Sequence, residues 1–193
     1  MDFDELEVDD ILAPKKKKKK VNSKAKGKRG ELLCGKELKK RFGFEFSRTL
    51  GSGNRWSQTA YLPKHASDTF TGDLVCPENF NWVIEAKVGY EDDIVFHNIL
   101  AKANTNASLE DWIKEAKDES KRSGRKPLIC WKRKRLPWLG ILRVNDIDGW
   151  FKPSLFPAYC MHYMDNKGVL WLITQLDFIL SLPDEFFFKE EDK

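Results

Sequence analysis

The stretch from Thr71 to Lys87 reads T-G-D-L-V-C-P-E-N-F-N-W-V-I-E-A-K and contains two short apolar runs, L-V-C and W-V-I. The runs have strand length and flank a P-E-N turn, which predicts two adjacent strands with a tight connection. The charged residues do not fit a plain hairpin. Asp73 opens the first run, and Glu85 and Lys87 stand where further apolar residues would be expected.

Alternation along the second run brings these charges together. Successive strand residues point to opposite faces, so Val83, Glu85 and Lys87 share one side of the strand. If the two strands pair, Asp73 lies beside Glu85, and two carboxylates and an ammonium occupy one small volume. Carboxylates held together raise each other's pKa unless a cation neutralises them, and hard oxygen ligands of this kind suit Mg²⁺. The alternative is an exposed ion pair on an edge strand.

Composition indicates one folded domain with charged tails. The chain has 193 residues, of which 41% are hydrophobic, with seven Trp and thirteen Phe, and this is enough for a substantial core. No run approaches the ~18 apolar residues that span a bilayer, and the acidic N-terminus does not resemble a signal sequence. We therefore expect a cytoplasmic protein that binds no membrane.

Cysteine and histidine spacing argues against zinc and disulfides. The four cysteines and three histidines are scattered and include no C-x-x-C pair, whereas both kinds of site need clustered ligands or a regular framework. Cys76 and Cys130 lie within apolar, strand-like runs. We expect both to be buried free thiols.

Charge is distributed unevenly, although the net charge is only +4. Residues 1–13 hold six acids and no base, residues 15–29 hold ten bases and no acid, and residues 121–135 hold eight bases and no acid. Blocks of like charge often serve as arms that bind polyanions, and two separate basic clusters favour nucleic-acid binding. For the lysine run 15–20, a solubilising tail or a nuclear-import signal is the alternative.

The remaining pattern predicts a mixed α/β fold. A helix is predicted from Lys28 to Gly43 and another over 109–122, capped by Ser108. Strands are predicted at 44–48, 127–132, 139–144, 159–164 and 169–174, with a short helix at 176–182. This order predicts a sheet flanked by helices.

Two polar features near the motif each have two interpretations. Glu31 lies at the end of the buried stripe of the first helix, where it either favours the helix macrodipole or is a third carboxylate directed at a metal. The loop G-S-G-N at 51–54 either turns the chain or brings backbone amides and a hydroxyl to a phosphate.

Taken in order, the segments from Lys26 to Val144 resemble the Holliday junction resolvase branch of the PD-(D/E)xK nucleases, in its archaeal and phage-encoded form. Gly72-Asp73 stands in place of the usual Pro-Asp. The matching segments are K-G-K-R-G-E-L-L, G-F-E-F-S-R-T-L-G-S-G, G-D-L-V, I-E-A-K, L-E-D-W-I-K-E-A-K-D-E-S and P-L-I-C-W-K-R-K-R-L-P-W.

The resemblance implies a restriction-endonuclease-like α/β core and a Mg²⁺-dependent, structure-selective endonuclease, with Mn²⁺ as a substitute metal. It implies a homodimer that cleaves branched or duplex DNA, in the host cytoplasm if phage-encoded. Asp73, Glu85 and the carbonyl of Ala86 would bind the metal, Glu31 would complete the acidic site, and Lys87 would activate the attacking water or steady charge on the phosphate. The resemblance and the basic clusters together suggest these DNA contacts: Ser52, Arg48, Arg55, Lys28, Arg29, Lys132, Arg133, Lys134 and Arg135. Glu115 stands where relatives often carry Gln and is given no role.

We predict four segments along the chain: a disordered, acidic then polybasic tail (1–28), the nuclease core (29–144), a C-terminal extension packed on the core (145–185) and an acidic tail (186–193). The extension and the loop at 55–70 go beyond the compact archaeal pattern. The resemblance therefore does not determine the dimer surface or the substrate. The alternatives are a related nuclease for flaps, nicks or other duplex DNA, and a DNA-binding module with a degenerate nuclease site. The intact acidic set argues against the module, because binding alone needs no clustered acids beside a phosphate.

Overall fold

The computed structural model describes residues 23–49, 71–90, 94–95, 108–150 and 160–189. Predictions for 1–22, for the loop at 55–70, and for Ser52 and Arg55 lie outside these residues. Within the described part, no helix is long and apolar enough to cross a membrane. The helices are α1 Ser23–Phe42, α2 Leu109–Ser123, α3 Leu176–Leu180 and α4 Asp184–Phe187, and the strands are β1 Ser47–Arg48, β2 Leu74–Val75, β3 Trp82–Val88, β4 Lys126–Lys132, β5 Trp138–Arg143, β6 Cys160–Met164 and β7 Leu170–Gln175.

Five strands form one mixed sheet in the order β3-β4-β5-β7-β6. Strands β3 and β4 are parallel and connected through α2, as a parallel pair requires a crossover, with Lys87 opposite Trp131 and Val88 opposite Lys132. The other neighbours in this sheet are antiparallel. The predicted α/β core, a mixed sheet flanked by helices, is confirmed.

Helices pack on both faces of the sheet and divide the core into two clusters. On one face, Cys34 and Leu38 of α1 pack with Ile84 of β3, and α3 and α4 complete this layer. On the other face, Trp112 of α2 packs with Ile129 of β4. Because strand side chains alternate, β3 presents Ile84 to α1 and the neighbouring Glu85 to the α2 side.

Helix α2 is defined by its caps, as the sequence predicted. Ser108 Oγ accepts a hydrogen bond from the N–H of Asp111, and the Asp111 carboxylate accepts one from the N–H of Ser108, which together form a capping box. At the other end, Gly124 adopts a left-handed φ of 68° and ends the helix. The position of α2 matters for function because it lies over β3 and β4.

The predicted hairpin within residues 71–87 is wrong. Strand β2 pairs with β1, with Arg48 opposite Leu74, and β3 pairs with β4. The turn predicted at P-E-N is present, since the N–H of Phe80 donates to the carbonyl of Pro77 at 3.0 Å. After the turn, however, Phe80 is fully buried and stacks on Phe187 of α4 with ring centroids 6.2 Å apart. Because of these contacts with the C-terminal segment, the chain passes through the core between β2 and β3.

Two predicted boundaries are also wrong. Helix α1 begins at Ser23, so residues 23–28 are helical and not part of a disordered tail. Phe186 and Phe187 are buried in the core, so the acidic tail cannot begin at residue 186; the indole of Trp82 donates a hydrogen bond to the carbonyl of Phe186 at 3.0 Å. Residues after 144 supply β6 and β7 of the central sheet, while the division into four segments stays a prediction. The buried free thiols Cys76 and Cys130 are confirmed.

Candidate active site

Asp73 is held against β3 by main-chain hydrogen bonds. Its N–H donates to the carbonyl of Ile84 at 2.9 Å, and its Oδ2 accepts a hydrogen bond from the N–H of Ala86 at 2.8 Å. On its other side, the carbonyl of Asp73 accepts from the N–H of Thr49 at 2.9 Å. Asp73 therefore lies beside the segment that carries Glu85, as expected. Its hydrogen bonds to Ile84 and Ala86 hold it there, and a hairpin ladder does not.

Gly72 explains why this chain has Gly-Asp where the resembling nucleases have Pro-Asp. Its φ is +79°, and a Cβ atom here would lie 2.7 Å from both the carbonyl oxygen of Ile84 and a methyl carbon of Val83. Proline is restricted to a φ near −65° and cannot adopt this conformation. The close approach of Gly72 to β3 is what places Asp73.

Lys87 joins the strand that carries the motif to helix α2. Its Nζ lies 2.8 Å from Oε1 of Glu85 and 2.5 Å from Oε2 of Glu115. Burial of Lys87 disfavours the charged form, but Glu85 and Glu115 outweigh it and raise the pKa of Lys87 above its ordinary value. Lys87 is therefore a fixed positive charge in the site.

The two carboxylates of the motif have raised pKa values. Burial, followed by the charge of Glu85, raises the pKa of Asp73 well above its ordinary value, while the Ala86 hydrogen bond opposes this and Glu31 adds to it. Burial also raises the pKa of Glu85, against the charge of Lys87. The site thus concentrates buried negative charge that a further cation would stabilise.

Glu31 approaches the site from the α1 face. It is 8% exposed, forms an ion pair with Arg48, and is near enough to raise the pKa of Asp73. The neighbouring Gly30 permits this approach, because a Cβ there would lie only 2.3 Å from a methyl carbon of Val88 in β3. Arg48, predicted to contact DNA, is thus bound to Glu31 in this structure.

Lys28, Arg29 and the turn from Lys132 to Arg135 lie near the C-terminal end of β3, where Gly30 of α1 approaches Val88. The turn from Lys132 to Arg135 follows β4, and the N–H of Gly89 donates to the carbonyl of Lys132 at 2.9 Å, directly beyond Val88. Lys134 and Arg135 in this turn are exposed, as are Lys28 and Arg29 just before Gly30. These six basic residues therefore lie near the end of β3 that carries Lys87.

Sequence reasoning missed two residues of the site, Glu115 and Glu119 of α2. Glu115 contacts Lys87, and Oε2 of Glu119 accepts a hydrogen bond from the N–H of Gly72 at 3.2 Å. Both glutamates also raise the pKa of Glu85. Their spacing of four residues, which places them on one helix face, is the sequence signal that could have identified them.

The oxygen donors fit a hard cation that keeps part of its water. In the described residues, no group of three or more His, Cys, Asp or Glu side chains is arranged to hold a metal ion. Asp73, Glu85 and the carbonyl of Ala86 remain as adjacent donors. Mg²⁺ is commonly bound by one or two carboxylates, several waters and substrate phosphates, so this donor set fits Mg²⁺, and Mn²⁺ has similar preferences.

Comparison with known proteins assigns the family. Residues 22–189 match the family described as "Phage putative PDDEXK endonuclease", and the chain belongs to this family. It is 30% identical to Protein D14 of Escherichia phage T5 over 130 residues, which cover 65% of this chain and 74% of that protein. No solved structure matches. Membership of the family implies a nuclease, in agreement with the PD-(D/E)xK-like core.

Proposed function

We propose that this protein is a Mg²⁺-dependent, structure-selective DNA endonuclease that acts as a Holliday junction resolvase. The observation that carries this proposal is the position of Asp73 beside Glu85 and Lys87. Among the described residues Asp73 makes no ion pair, and burial together with Glu85 raises its pKa. A carboxylate in this environment is a ready ligand for a divalent cation.

The charge balance of the site supports a metal. Five carboxylates interact around β3, those of Glu31, Asp73, Glu85, Glu115 and Glu119. Lys87, Arg48 and Arg122 form ion pairs with four of these carboxylates, and Asp73 is in none of these pairs. Buried carboxylates that raise each other's pKa repel a phosphate backbone, so a bound cation beside Asp73 and Glu85 would favour DNA cleavage here.

The proposed chemistry is hydrolysis of a phosphodiester bond. Bound Mg²⁺ would neutralise charge on the phosphate and lower the pKa of a water. Asp73, Glu85 and the carbonyl of Ala86 would hold it, with Glu31 as a further carboxylate. Lys87 places an ammonium beside these acids, where it would stabilise negative charge on the phosphate or orient the attacking water.

The proposed DNA interface is the basic border of the site. Lys28, Arg29 and the turn from Lys132 to Arg135 approach it from two sides, and we extend the interface to Arg48, Ser52 and Arg55. Such contacts go mainly to phosphates and give affinity with little base preference. This arrangement suits an enzyme that selects the shape of DNA over its sequence.

We further propose a homodimer that acts in the host cytoplasm. A four-way junction has two-fold symmetry, and clean resolution needs two cuts in strands of like polarity. An isologous dimer interface relates two copies of the site by the same symmetry. A monomer has one site and makes one cut per encounter.

The experiment compares cleavage of four-way junction, flap, nicked and linear duplex DNA by the wild-type protein and by Asp73→Asn, with Mg²⁺, Mn²⁺ or EDTA. We expect Mg²⁺-dependent cleavage of the junction that Asp73→Asn and EDTA abolish. Preference for flaps or nicks would support a related nuclease, and binding without cleavage would support a degenerate site. On a cruciform plasmid, a resolvase yields linear product before nicked circle accumulates. A monomer that yields only nicked circle would exclude the resolvase assignment.

A further inference from the structure

A hydrogen bond from the main chain of Gly72 reaches across the site to α2. Gly72 N–H donates to Oε2 of Glu119 at 3.2 Å. The other carboxylate oxygen of Glu119 lies 2.9 Å from Nη2 of Arg122, three residues further along the same helix. Glu119 is therefore anchored on its own helix at one oxygen and holds the residue before Asp73 with the other.

This contact depends on glycine at the position of the usual motif proline. Proline has no N–H to donate, so a Pro-Asp nuclease cannot form this bond. Here φ is +79°, a conformation that glycine adopts without strain, and the freed N–H meets an acceptor on α2. Gly72 and Glu119 thus form a pair of residues that belongs to the Gly-Asp version of the motif.

We propose that Glu119 is a positioning residue that sets Asp73 in its place on β3, an inference that rests on the proposed function. Asp73 is tied on one side to Ile84 and on the other to Thr49 through its own main chain. The Glu119 bond fixes the peptide group that precedes it. One turn earlier on α2, Glu115 holds Lys87, so this helix aligns both halves of the motif.

Two variants of Glu119 separate the acceptor from the charge. Glu119→Gln keeps a side-chain oxygen that can accept from Gly72, and Glu119→Met removes it with a side chain of similar length. Both variants remove the negative charge near Glu85, so a difference between them reports the hydrogen bond. Glu37→Met is the control, because Glu37 is a helix-surface glutamate paired with Lys40 on α1, two turns beyond Glu31.

The kinetic readout is turnover under saturating DNA. We expect Glu119→Met to lower kcat about 10- to 100-fold, as small displacements of catalytic groups do, with KM within about twofold because phosphate contacts lie elsewhere. Glu119→Gln should stay within about threefold of the wild type, and Glu37→Met should match it. A purely structural role would lower the melting temperature and leave kcat of the folded enzyme unchanged.

The direct readout is the amide signal of Gly72 in ¹⁵N–¹H spectra. We expect this proton to move upfield and exchange faster in Glu119→Met than in Glu119→Gln. An unchanged Gly72 signal, or equal kcat values in the two variants, would overturn the inference. If the wild-type protein cleaves none of the DNAs, the proposed function fails, and the affinity for Mn²⁺ then tests the role of Glu119 separately. Weaker Mn²⁺ binding by Glu119→Met than by Glu119→Gln would support positioning of Asp73. Equal affinity of the two variants would overturn it.

Discussion

The ammonium of Lys87 lies 2.5 Å from Oε2 of Glu115 and joins β3 to α2 across the candidate active site. The same ammonium contacts Glu85 at 2.8 Å, so the lysine is shared between a buried acid and an acid that is 56% exposed. The Glu115 contact therefore lies on the open side of the site, where DNA would approach. The orientation of Lys87 depends on both acids.

Removing Glu115 should reduce turnover with little loss of stability. We expect Glu115→Ala to lower kcat about tenfold because Lys87 loses one of its two acceptors, while the free energy of unfolding falls by less than about 1 kcal/mol, as for exposed ion pairs. Glu115→Gln keeps an acceptor and should retain most activity. Lys87→Met should lower kcat at least about 100-fold. Single-turnover cleavage measures these rates, with circular dichroism to verify folding, and normal cleavage by Lys87→Met would contradict the assigned site.

Gly72 should tolerate no side chain. In Gly72→Ala, a left-handed φ costs about 1–2 kcal/mol, and the Cβ would also overlap the carbonyl of Ile84 at 2.7 Å, so we expect a total loss above about 3 kcal/mol. Gly43→Ala is the control, because Gly43 has a φ of +75° and no heavy atom within 4 Å of its Cβ position; it should lose only the strain. Gly72→Pro, which restores the common motif, should be at least as damaging. Urea denaturation measures all three, and equal losses at Gly72 and Gly43 would refute the close packing.

The lysine run 15–20 should contribute to DNA affinity through phosphate contacts. Deleting residues 1–22 removes these six lysines and stops just before α1. The plot of log binding constant against log salt should become shallower by roughly 0.9 for each lost phosphate contact. Replacing the six lysines by glutamine in the full chain should have the same effect. Fluorescence anisotropy at several salt concentrations measures the slope, and an unchanged slope would assign the run to solubility or localisation.

Asp165 should support stability above acidic pH. It is buried, and burial alone would raise its pKa, but an ion pair with Lys117 and hydrogen bonds from the Trp171 indole and two main-chain N–H groups lower the pKa to about 2. A depressed pKa gives stability that is present above the unfolded value near 3.9 and is lost as pH falls toward 2. At pH 7, Asp165→Asn should therefore lower the free energy of unfolding by about 1–2 kcal/mol.

This stability difference should shrink between pH 4 and pH 2, because the unfolded chain takes up a proton at Asp165 below about pH 3.9, whereas the folded protein does so only near pH 2. Urea denaturation at each pH measures it. Asp184→Asn is the control, since that side chain is 66% exposed and pairs with Arg41 at the surface, where ion pairs contribute little. A difference for Asp165→Asn that is constant with pH would show that the carboxylate charge does not contribute.

Much of the fold could be predicted because its signals are local. The caps of α2, the buried stripe of α1 and the apolar strands each depend on residues a few positions apart, which periodicity reveals. The residue types of the site were equally accessible, since Asp73, Glu85 and Lys87 lie within one short stretch. Sequence by itself therefore determined the α/β class, the motif and the uneven distribution of charge along the chain.

Tertiary structure decided how these residues meet. Glu119 and Gly72 are 47 residues apart, and Asp73 reaches β3 through the main-chain N–H of Ala86, a donor that every non-proline residue carries. Such a bond leaves no mark on the side-chain pattern. The burial of Phe186 and Phe187 likewise depends on contacts with Trp82 and Phe80, distant in sequence. Local patterns specify which elements form, whereas long-range packing selects which of the many possible partners each element finds.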